Sequence, residues 1–520
     1  MSLVVAHDLG TSADKASLHD AGGRLLGSVT VPYPTVHGPA GEAEQDPHDW
    51  TGAVATATRD LLAATGRGPE EVDGVVVSGH MQGAVLLDAQ LEPVRPALIW
   101  ADRRSTAQAA RAAELVAPAD VYARTGHRLS ESYTLTKALW VAEQEPAAFA
   151  RAAHLVQAKD YVVARLTGTV RTDPSDASGT NLYLLQEGRW WTELAEAAGL
   201  PTRLLPEIVP STTVVGGLTA AAARAAGLRA GTPVVLGGGD GPIASVGAGS
   251  LGPDDDPYLC LGSSAWIALA ADRPALDPSR RTMTFAHVVP GRFVPIATMQ
   301  AAGAALSWLA GALGDDVARL LDDAAGVRAA EEGLFFLPHL MGERAPLWTP
   351  HARGAFVGLA PHHGRAHLTR AVLEGVAHNL RSCRAALEAA GQRVDRLQVI
   401  GGGSRSGVWL QVLADVLGVP VLRRSVDAEA GSLGAAVTGL VGLGALPDFA
   451  AARTLSEITD VLEPQRDPRL AHDLHDRFEA ARDALLPWFE AGAVARPPVP
   501  TTRPPVPTAR PPVPTHRPGG

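Results

Sequence analysis

The chain opens on an apolar run, Leu3-Val4-Val5-Ala6, that stops at Asp8-Leu9-Gly10-Thr11-Ser12. The same order returns at Tyr258-Leu259-Cys260, followed by Leu261-Gly262-Ser263-Ser264. Each reads as a strand that runs into a Gly-hydroxyl turn. Alternation resumes at Ala16-Ser17-Leu18-His19, and Asp20-Ala21-Gly22-Gly23 turns it into Leu25-Leu26, which predicts a hairpin meander. From Trp50 to Ala64 the period changes to that of a helix, with Val54, Ala57, Leu61 and Leu62 on one side. A strand at Val75-Val76-Val77 then delivers the loop Ser78-Gly79-His80-Met81-Gln82-Gly83. Two further apolar runs form a second matched pair: Val234-Val235-Leu236 leads into Gly237-Gly238-Gly239-Asp240, and Val399-Ile400 leads into Gly401-Gly402-Gly403-Ser404. Strand-to-loop pairs in the same order within each half predict a duplicated α/β unit, with ligands gathered at strand ends between the halves. The second half opens near Leu251, where Gly249, Gly252, Pro253 and Asp254-Asp255-Asp256 break the pattern.

The 520 residues are 46% hydrophobic and 19% charged, enough for a packed core in more than one domain. A net charge of −10 leaves little attraction for nucleic acid or an anionic membrane, so no nucleic-acid or membrane partner is expected and a small-molecule protein is. Two cysteines, Cys260 and Cys383, can build neither a disulfide framework nor a four-cysteine zinc site. Met1-Ser2 leads directly into a strand without a basic region before it, so a cytoplasmic protein is expected. The uncharged stretch Ala430 to Pro447 carries five glycines and reads as a buried helix and its exit rather than a membrane span. From about Ala493 the unit Arg496-Pro497-Pro498-Val499-Pro500-Thr501 recurs, with arginines at 496, 503, 510 and 517. This predicts a disordered, polyproline-II-like tail over 493–520.

A Gly-hydroxyl turn exposes backbone N–H groups with no large side chain to block close approach, and this suits a phosphate. Gly10, Thr11 and Ser12, with Lys15 as a nearby cation, and Gly262, Ser263 and Ser264 therefore form two candidate phosphate turns. Ordinary turns carry the same residues, and a lysine at that spacing is commonly a solvated strand residue. Asp240 follows three glycines at a strand end, where only one ionisable group projects. It can cap the helix that begins at Gly241-Pro242. If the halves face each other, it can also serve as the base of a phosphoryl transfer.

The chain resembles the FGGY carbohydrate kinases, and among them the xylulokinases, over roughly Leu3 to Phe489. The resemblance rests on Asp8-Leu9-Gly10-Thr11-Ser12, Trp100-Ala101-Asp102-Arg103-Arg104, Lys159-Asp160-Tyr161, Thr172-Asp173-Pro174-Ser175-Asp176-Ala177-Ser178-Gly179-Thr180 and Gly237-Gly238-Gly239-Asp240. It continues through Gly342-Glu343-Arg344-Ala345-Pro346, Arg353-Gly354-Ala355-Phe356, His367-Leu368-Thr369-Arg370-Ala371-Val372-Leu373-Glu374-Gly375 and Gly401-Gly402-Gly403-Ser404. It implies an α/β, actin-like ATPase fold of two ribonuclease-H-like domains with a cleft between them: a sugar-binding domain over 1–250 and a nucleotide-binding domain over 251–492. It further implies Mg-ATP bound mainly on the second domain and sugar mainly on the first.

Carried over residue by residue, the resemblance makes Asp240 the catalytic base and Asp8 the carboxylate that, with Asp240, orients Mg²⁺ largely through water. Thr11 and Ser12 become donors toward the γ-phosphate, and Gly262, Ser263 and Ser264 the second phosphate turn. Gly402, Gly403 and Ser404 become the wall against ribose and adenine. His80, Met81, Gln82, Trp100, Asp102 and Arg103 complete the sugar pocket, where His80 bracing its loop and Trp100 lying in the core are the competing readings. The expected partners are a small sugar and ATP, with a homodimer as a further expectation and a partner for the tail left open. D-Xylulose is the first expectation for the acceptor; L-xylulose, ribulose, a polyol or an aldonate is the alternative, and a non-catalytic actin-like ATPase or sugar sensor is the rival from another class. Three departures stand out. The xylulokinase loop Gly-Gln-Met-His-Gly is here Gly79-His80-Met81-Gln82-Gly83, with its polar residues exchanged. The Asn usual after the base is Gly241, followed by Pro242. Asp14 stands where a small residue is common, and the sequence offers no reason for a carboxylate there.

Overall fold

The computed structural model describes residues 3–39, 41–425 and 429–493; most of the Arg-Pro segment lies outside them. Two large sheets dominate it. In the first, the strand order is Val214–Gly217, Pro233–Val235, Val72–Gly79, Leu3–Leu9, Ala13–Asp20, Leu25–Pro32. The opening strand is buried on both faces. Leu3, Val5 and Leu9 pack under the helix Pro47–Thr65, while Val4 and Ala6 face a helix from the other half. The helix Pro47–Thr65 starts where Asp46 accepts a hydrogen bond from the His48 N–H and Pro47 presets the first turn; it ends at Gly66, whose φ is 64°.

Pairing register brings three loops together. Leu3–Leu9 runs parallel to Val72–Gly79 with Leu9 opposite Gly79, and the strand at Pro233 runs parallel to Val72–Gly79 until Gly79 bridges Gly239. The turn at Gly10, the loop at 79–83 and the turn at 237–240 thus leave the same ends of three adjacent parallel strands.

The second sheet has the order Met283–Ala286, Phe293–Met299, Ala265–Ala268, Tyr258–Leu261, Leu397–Ile400, Val421–Arg424, Ile458–Leu462. Its first hairpin repeats that of the first sheet, with Tyr258–Leu261 antiparallel to Ala265–Ala268 and parallel to Leu397–Ile400. This corrects one expectation. The strand Leu397–Ile400 holds the place beside the opening strand that Val72–Gly79 holds in the first sheet, so the loop Gly401–Ser404 corresponds to the loop 79–83 and not to the turn 237–240. Two glycine-rich turns looked alike locally; only the order of strands separates them.

The halves are joined by helices. Ala430–Gly442 lies in sequence between the last two strands of the second sheet, yet Leu433, Val437 and Leu440 pack with Val4, Ala6, Val76 and Val235 of the first. It lies antiparallel to the helix Asp240–Gly247 at very close range: a Cβ on Gly247 would sit 1.7 Å from the Ala430 carbonyl oxygen, and one on Gly434 would sit 2.0 Å from that of Ile243. Only glycine permits these contacts. The other connection comes from the edge strand Met283–Ala286. The Tyr122 hydroxyl lies 2.9 Å from Thr282 Oγ1, the Thr284 N–H donates to the Gly126 carbonyl, and the Ala286 N–H donates to Ser178 Oγ.

Asp14 also finds its reason here. It faces the core beneath the helix Pro47–Thr65, where its Oδ2 lies 2.9 Å from His7 Nδ1, and His7 Nε2 lies 3.2 Å from Thr58 Oγ1. Because strand residues alternate faces, this pair sits on the side of the sheet opposite Asp8. Among the described residues, no helix is long and apolar enough to cross a membrane.

Candidate active site

Between the halves lies a cavity of about 280 Å³ into which Asp240, Thr11, Met81, Gln82 and Trp100 reach from the first half. Ser264, Trp266, Met283, Phe285, Thr298, Gln300 and Arg344 reach it from the second. Sugar binding mainly on the first half was the expectation, whereas both halves line this space; the strands Met283–Ala286 and Phe293–Met299 lean over the cleft and supply apolar walls that no motif marks. A second cavity of about 680 Å³ lies wholly on the second half, between Gly262 and Ser263, the segments Leu306–Ser307 and Val317–Asp322, and the stretch Gly402–Trp409. One turn separates the two spaces. Gly262 and Ser263 line the larger cavity and Ser264 the smaller.

Asp240 begins its helix at the end of the triple-glycine turn. Gly237 has φ 73°, and a Cβ there would lie 1.8 Å from the Val77 carbonyl oxygen, so the turn can press against its neighbouring strand only as glycine. Asp240 Oδ1 accepts the Gly241 N–H at 2.8 Å, and the carboxyl is open to the cleft. Enclosure by the cleft walls pushes its pKa up to about 7, and the Asp8 carboxylate adds to the rise against the Gly241 hydrogen bond. Asp8 is pushed up to about 6, chiefly by enclosure and then by Asp14, with Lys15 opposing. Water in the open cleft tempers both shifts.

The remaining candidates divide. Trp100 Nε1–H donates to Thr11 Oγ1 at 2.9 Å, which ties the turn at Gly10 to the wall of the smaller cavity. His80 turns into the core: its ring meets Trp50 edge-on at 5.3 Å, and burial depresses its pKa to about 4. Gln82, at φ 67°, is the polar residue of that loop which faces the cavity, so the exchange of His and Gln puts an amide at the cavity wall and an imidazole in the core. Asp102 is fully buried, with Oδ2 accepting the Ala43 N–H at 2.7 Å and pairing with Arg104. It braces the loop and does not line the pocket. Arg103 is absent from the cavity wall; burial lowers the pKa of Arg344, and the nearby Arg103 charge adds to that.

On the phosphate side, Lys15 Nζ lies 2.6 Å from Glu429 Oε1 and so joins the halves rather than waiting free for a phosphate. Gly10 and Ser12 flank Thr11 at the turn without lining either cavity. Gly402 and Gly403 line the larger space, but Ser404 is buried and donates to the Gly401 carbonyl at 2.7 Å.

Arg344 carries the site's strongest missed signal. It lies within Gly342–Pro346, a motif of the family resemblance that by itself assigns it no role. Its guanidinium reaches across the cleft to lie 5.2 Å from the Trp100 ring centre, and it has no ion pair among the described residues. Buried Glu343 holds its loop by accepting the N–H groups of Gln300 and Arg344. A magnesium ion fits the donor set: Asp8 and Asp240 offer hard carboxylate oxygens whose mutual repulsion a divalent cation relieves.

Residues 3–247 match the N-terminal domain of the FGGY family of carbohydrate kinases and residues 258–443 its C-terminal domain. The chain is 32% identical over 448 residues to a xylulose kinase of Bacillus subtilis, covering 85% of this chain and 89% of that protein. It is 30% identical over 462 residues to a gluconokinase of the same organism, covering 86% and 89%. The crystal structure of a xylulose kinase from Rhodospirillum rubrum superposes with a TM-score of 0.84 at 30% identity, over 94% of this chain and 100% of that one. With two actin-like α/β halves around a cleft and both family domains matched in order, the chain belongs to the FGGY carbohydrate kinases and is a phosphotransferase with an alcohol group as acceptor and ATP as phosphate donor.

Proposed function

We propose that this kinase transfers the γ-phosphoryl group of ATP to a hydroxyl of D-xylulose, giving D-xylulose 5-phosphate. It does so between domains formed by residues 1–250 and 251–492. The observation that carries the reading is the position of Asp240: it opens onto a cavity of about 280 Å³ that a single phosphate-type turn divides from a cavity of about 680 Å³. A small acceptor fits the first and a nucleotide the second.

In this reading Asp240 accepts the proton of the acceptor hydroxyl as that oxygen attacks the γ-phosphorus in line with the departing ADP oxygen. Ser263 and the Gly262 backbone cradle the phosphates from one side, and Thr11, held by Trp100, faces them from the other. Asp8 and Asp240 would hold Mg²⁺ largely through water, and the ion when bound spreads the charge of the phosphate oxygens. Water is a smaller nucleophile than any sugar, so closure of the halves around bound acceptor protects ATP from hydrolysis.

A second reading has one observation in its favour. The guanidinium of Arg344, which has no ion pair among the described residues, suits the carboxylate of an aldonate at the acceptor cavity. ADP release measured over ketoses, polyols and aldonates decides between them: turnover strongest with D-xylulose supports the first reading, and turnover strongest with an aldonate, abolished in R344M, supports the second. In D240N, kcat falls by about 10²–10⁴ while ATP still binds. Turnover near normal in that variant removes Asp240 as the base.

A further inference from the structure

Directly behind the triple-glycine turn is a fully buried cluster of one lysine and three aspartates. Lys159 Nζ lies 2.6 Å from Asp160 Oδ1, 3.2 Å from Asp173 Oδ1 and 3.4 Å from Asp176 Oδ2. One carboxylate would neutralise one ammonium, and burying two more is costly unless the arrangement does something else. The surplus charge is eased in part by protonation, since burial pushes the Asp176 carboxyl well above the ordinary carboxylate range.

The bonds leaving this cluster lead to the active site. Asp173 Oδ2 accepts the Ser175 hydroxyl, the Ser175 N–H at 3.0 Å and the Ser211 hydroxyl at 2.8 Å. With its proton so committed, Ser175 Oγ turns a lone pair outward and accepts the Gly239 N–H at 2.9 Å. Gly239 immediately precedes Asp240. The other two glycines are pinned as well, by Gly237 N–H to the Ser211 carbonyl at 2.9 Å and by Gly79 N–H to the Gly238 carbonyl at 3.3 Å. The lysine backbone closes the back of the acceptor loop: a Cβ on Gly79 would lie 3.2 Å from the Lys159 nitrogen.

We propose that Lys159, Asp173 and Ser175 form a positioning relay that fixes the backbone of Gly239 and so aims the Asp240 carboxylate at the acceptor hydroxyl. Lys159 holds the Asp173 carboxylate, Asp173 orients the Ser175 hydroxyl, and Ser175 holds the peptide on which the base is mounted. A base free to swing is less often in line with the hydroxyl, and small misplacements cost rate rather than affinity. The proposal rests on Asp240 being the base.

The test compares two buried serines. S175A removes the acceptor of the Gly239 N–H. S211A removes a hydroxyl of similar burial that bonds the same carboxylate but does not touch Gly239. The relay predicts that both lower Tm by similar amounts, while kcat falls about tenfold in S175A only and both KM values stay within about twofold. S175C, which keeps the volume and weakens the acceptor, takes the place of S175A if the alanine variant does not fold. Equal kcat in the two serine variants, or a loss in S175A confined to the acceptor KM, overturns the relay. D240N separates the premises: an active D240N removes the base and the relay with it, whereas an inactive D240N with equal serine variants leaves the base in place and removes the relay alone.

Discussion

The Trp100 indole N–H donates to Thr11 Oγ1 at 2.9 Å, so one hydrogen bond spans from the wall of the cavity at Asp240 to the turn at Gly10, the proposed acceptor and phosphate positions. It presents the Thr11 hydroxyl in a fixed orientation, and the Arg344 guanidinium from the other half lies over a face of the same ring. W100F keeps most of the ring and loses the donor. A hydrogen bond of this kind contributes about 1 kcal/mol, so kcat/KM for the acceptor should fall about fivefold with Tm nearly unchanged. Steady-state kinetics with ATP saturating, and thermal melts, check both halves of this expectation.

In the proposed mechanism the pH dependence follows from Asp240 as the base. Its pKa is pushed up to about 7, and a base acts only when deprotonated, so kcat/KM for the acceptor should fall about tenfold per unit as pH drops below that value and level off above it. Stability has the opposite sense. A carboxyl whose folded-state pKa lies above its unfolded value stabilises the fold most below the unfolded value near 3.8, and that contribution is lost as pH rises through the folded value. D240N should therefore melt a few degrees above the wild type at pH 8, with the difference closing toward pH 4. A difference that widens in acid would contradict the raised pKa.

The helix pair that joins the halves is packed to its limit at Gly247 and Gly434. An added methyl at either site meets backbone rather than a movable side chain, so G247A and G434A should each destabilise by about 3 kcal/mol in denaturant unfolding. The double variant should cost less than the sum, because the separation forced by one methyl makes room for the other. A wild-type midpoint in G434A would mean that the two helices are not held this closely in solution.

Much of the site was legible because its signals are local. Glycine beside a hydroxyl at a strand end, and Asp240 after three glycines, can be recognised from a handful of consecutive residues. The acceptor wall could not be: Trp266, Phe285 and Thr298 are ordinary strand residues whose role comes from which edge of their sheet leans over the cleft. His80 and Gln82 are two residues apart in one loop, yet the positive φ at Gln82 turns the loop so that one enters the core and the other the cavity. Asp102 and Ser404 sit in motifs but spend their oxygens on neighbouring backbone and on Arg104.

What the chain determined by itself is its strands, its glycine turns and the identity of the carboxyl that can act as a base, since period, turn chemistry and residue type are carried by neighbours in sequence. Tertiary structure alone decided that the cavity at Asp240 takes walls from both halves, that Lys15 is bound to Glu429, and that a helix set between two strands of the second sheet closes the core of the first. These depend on contacts between segments hundreds of residues apart, where burial and strand order, not local preference, settle which way a side chain points.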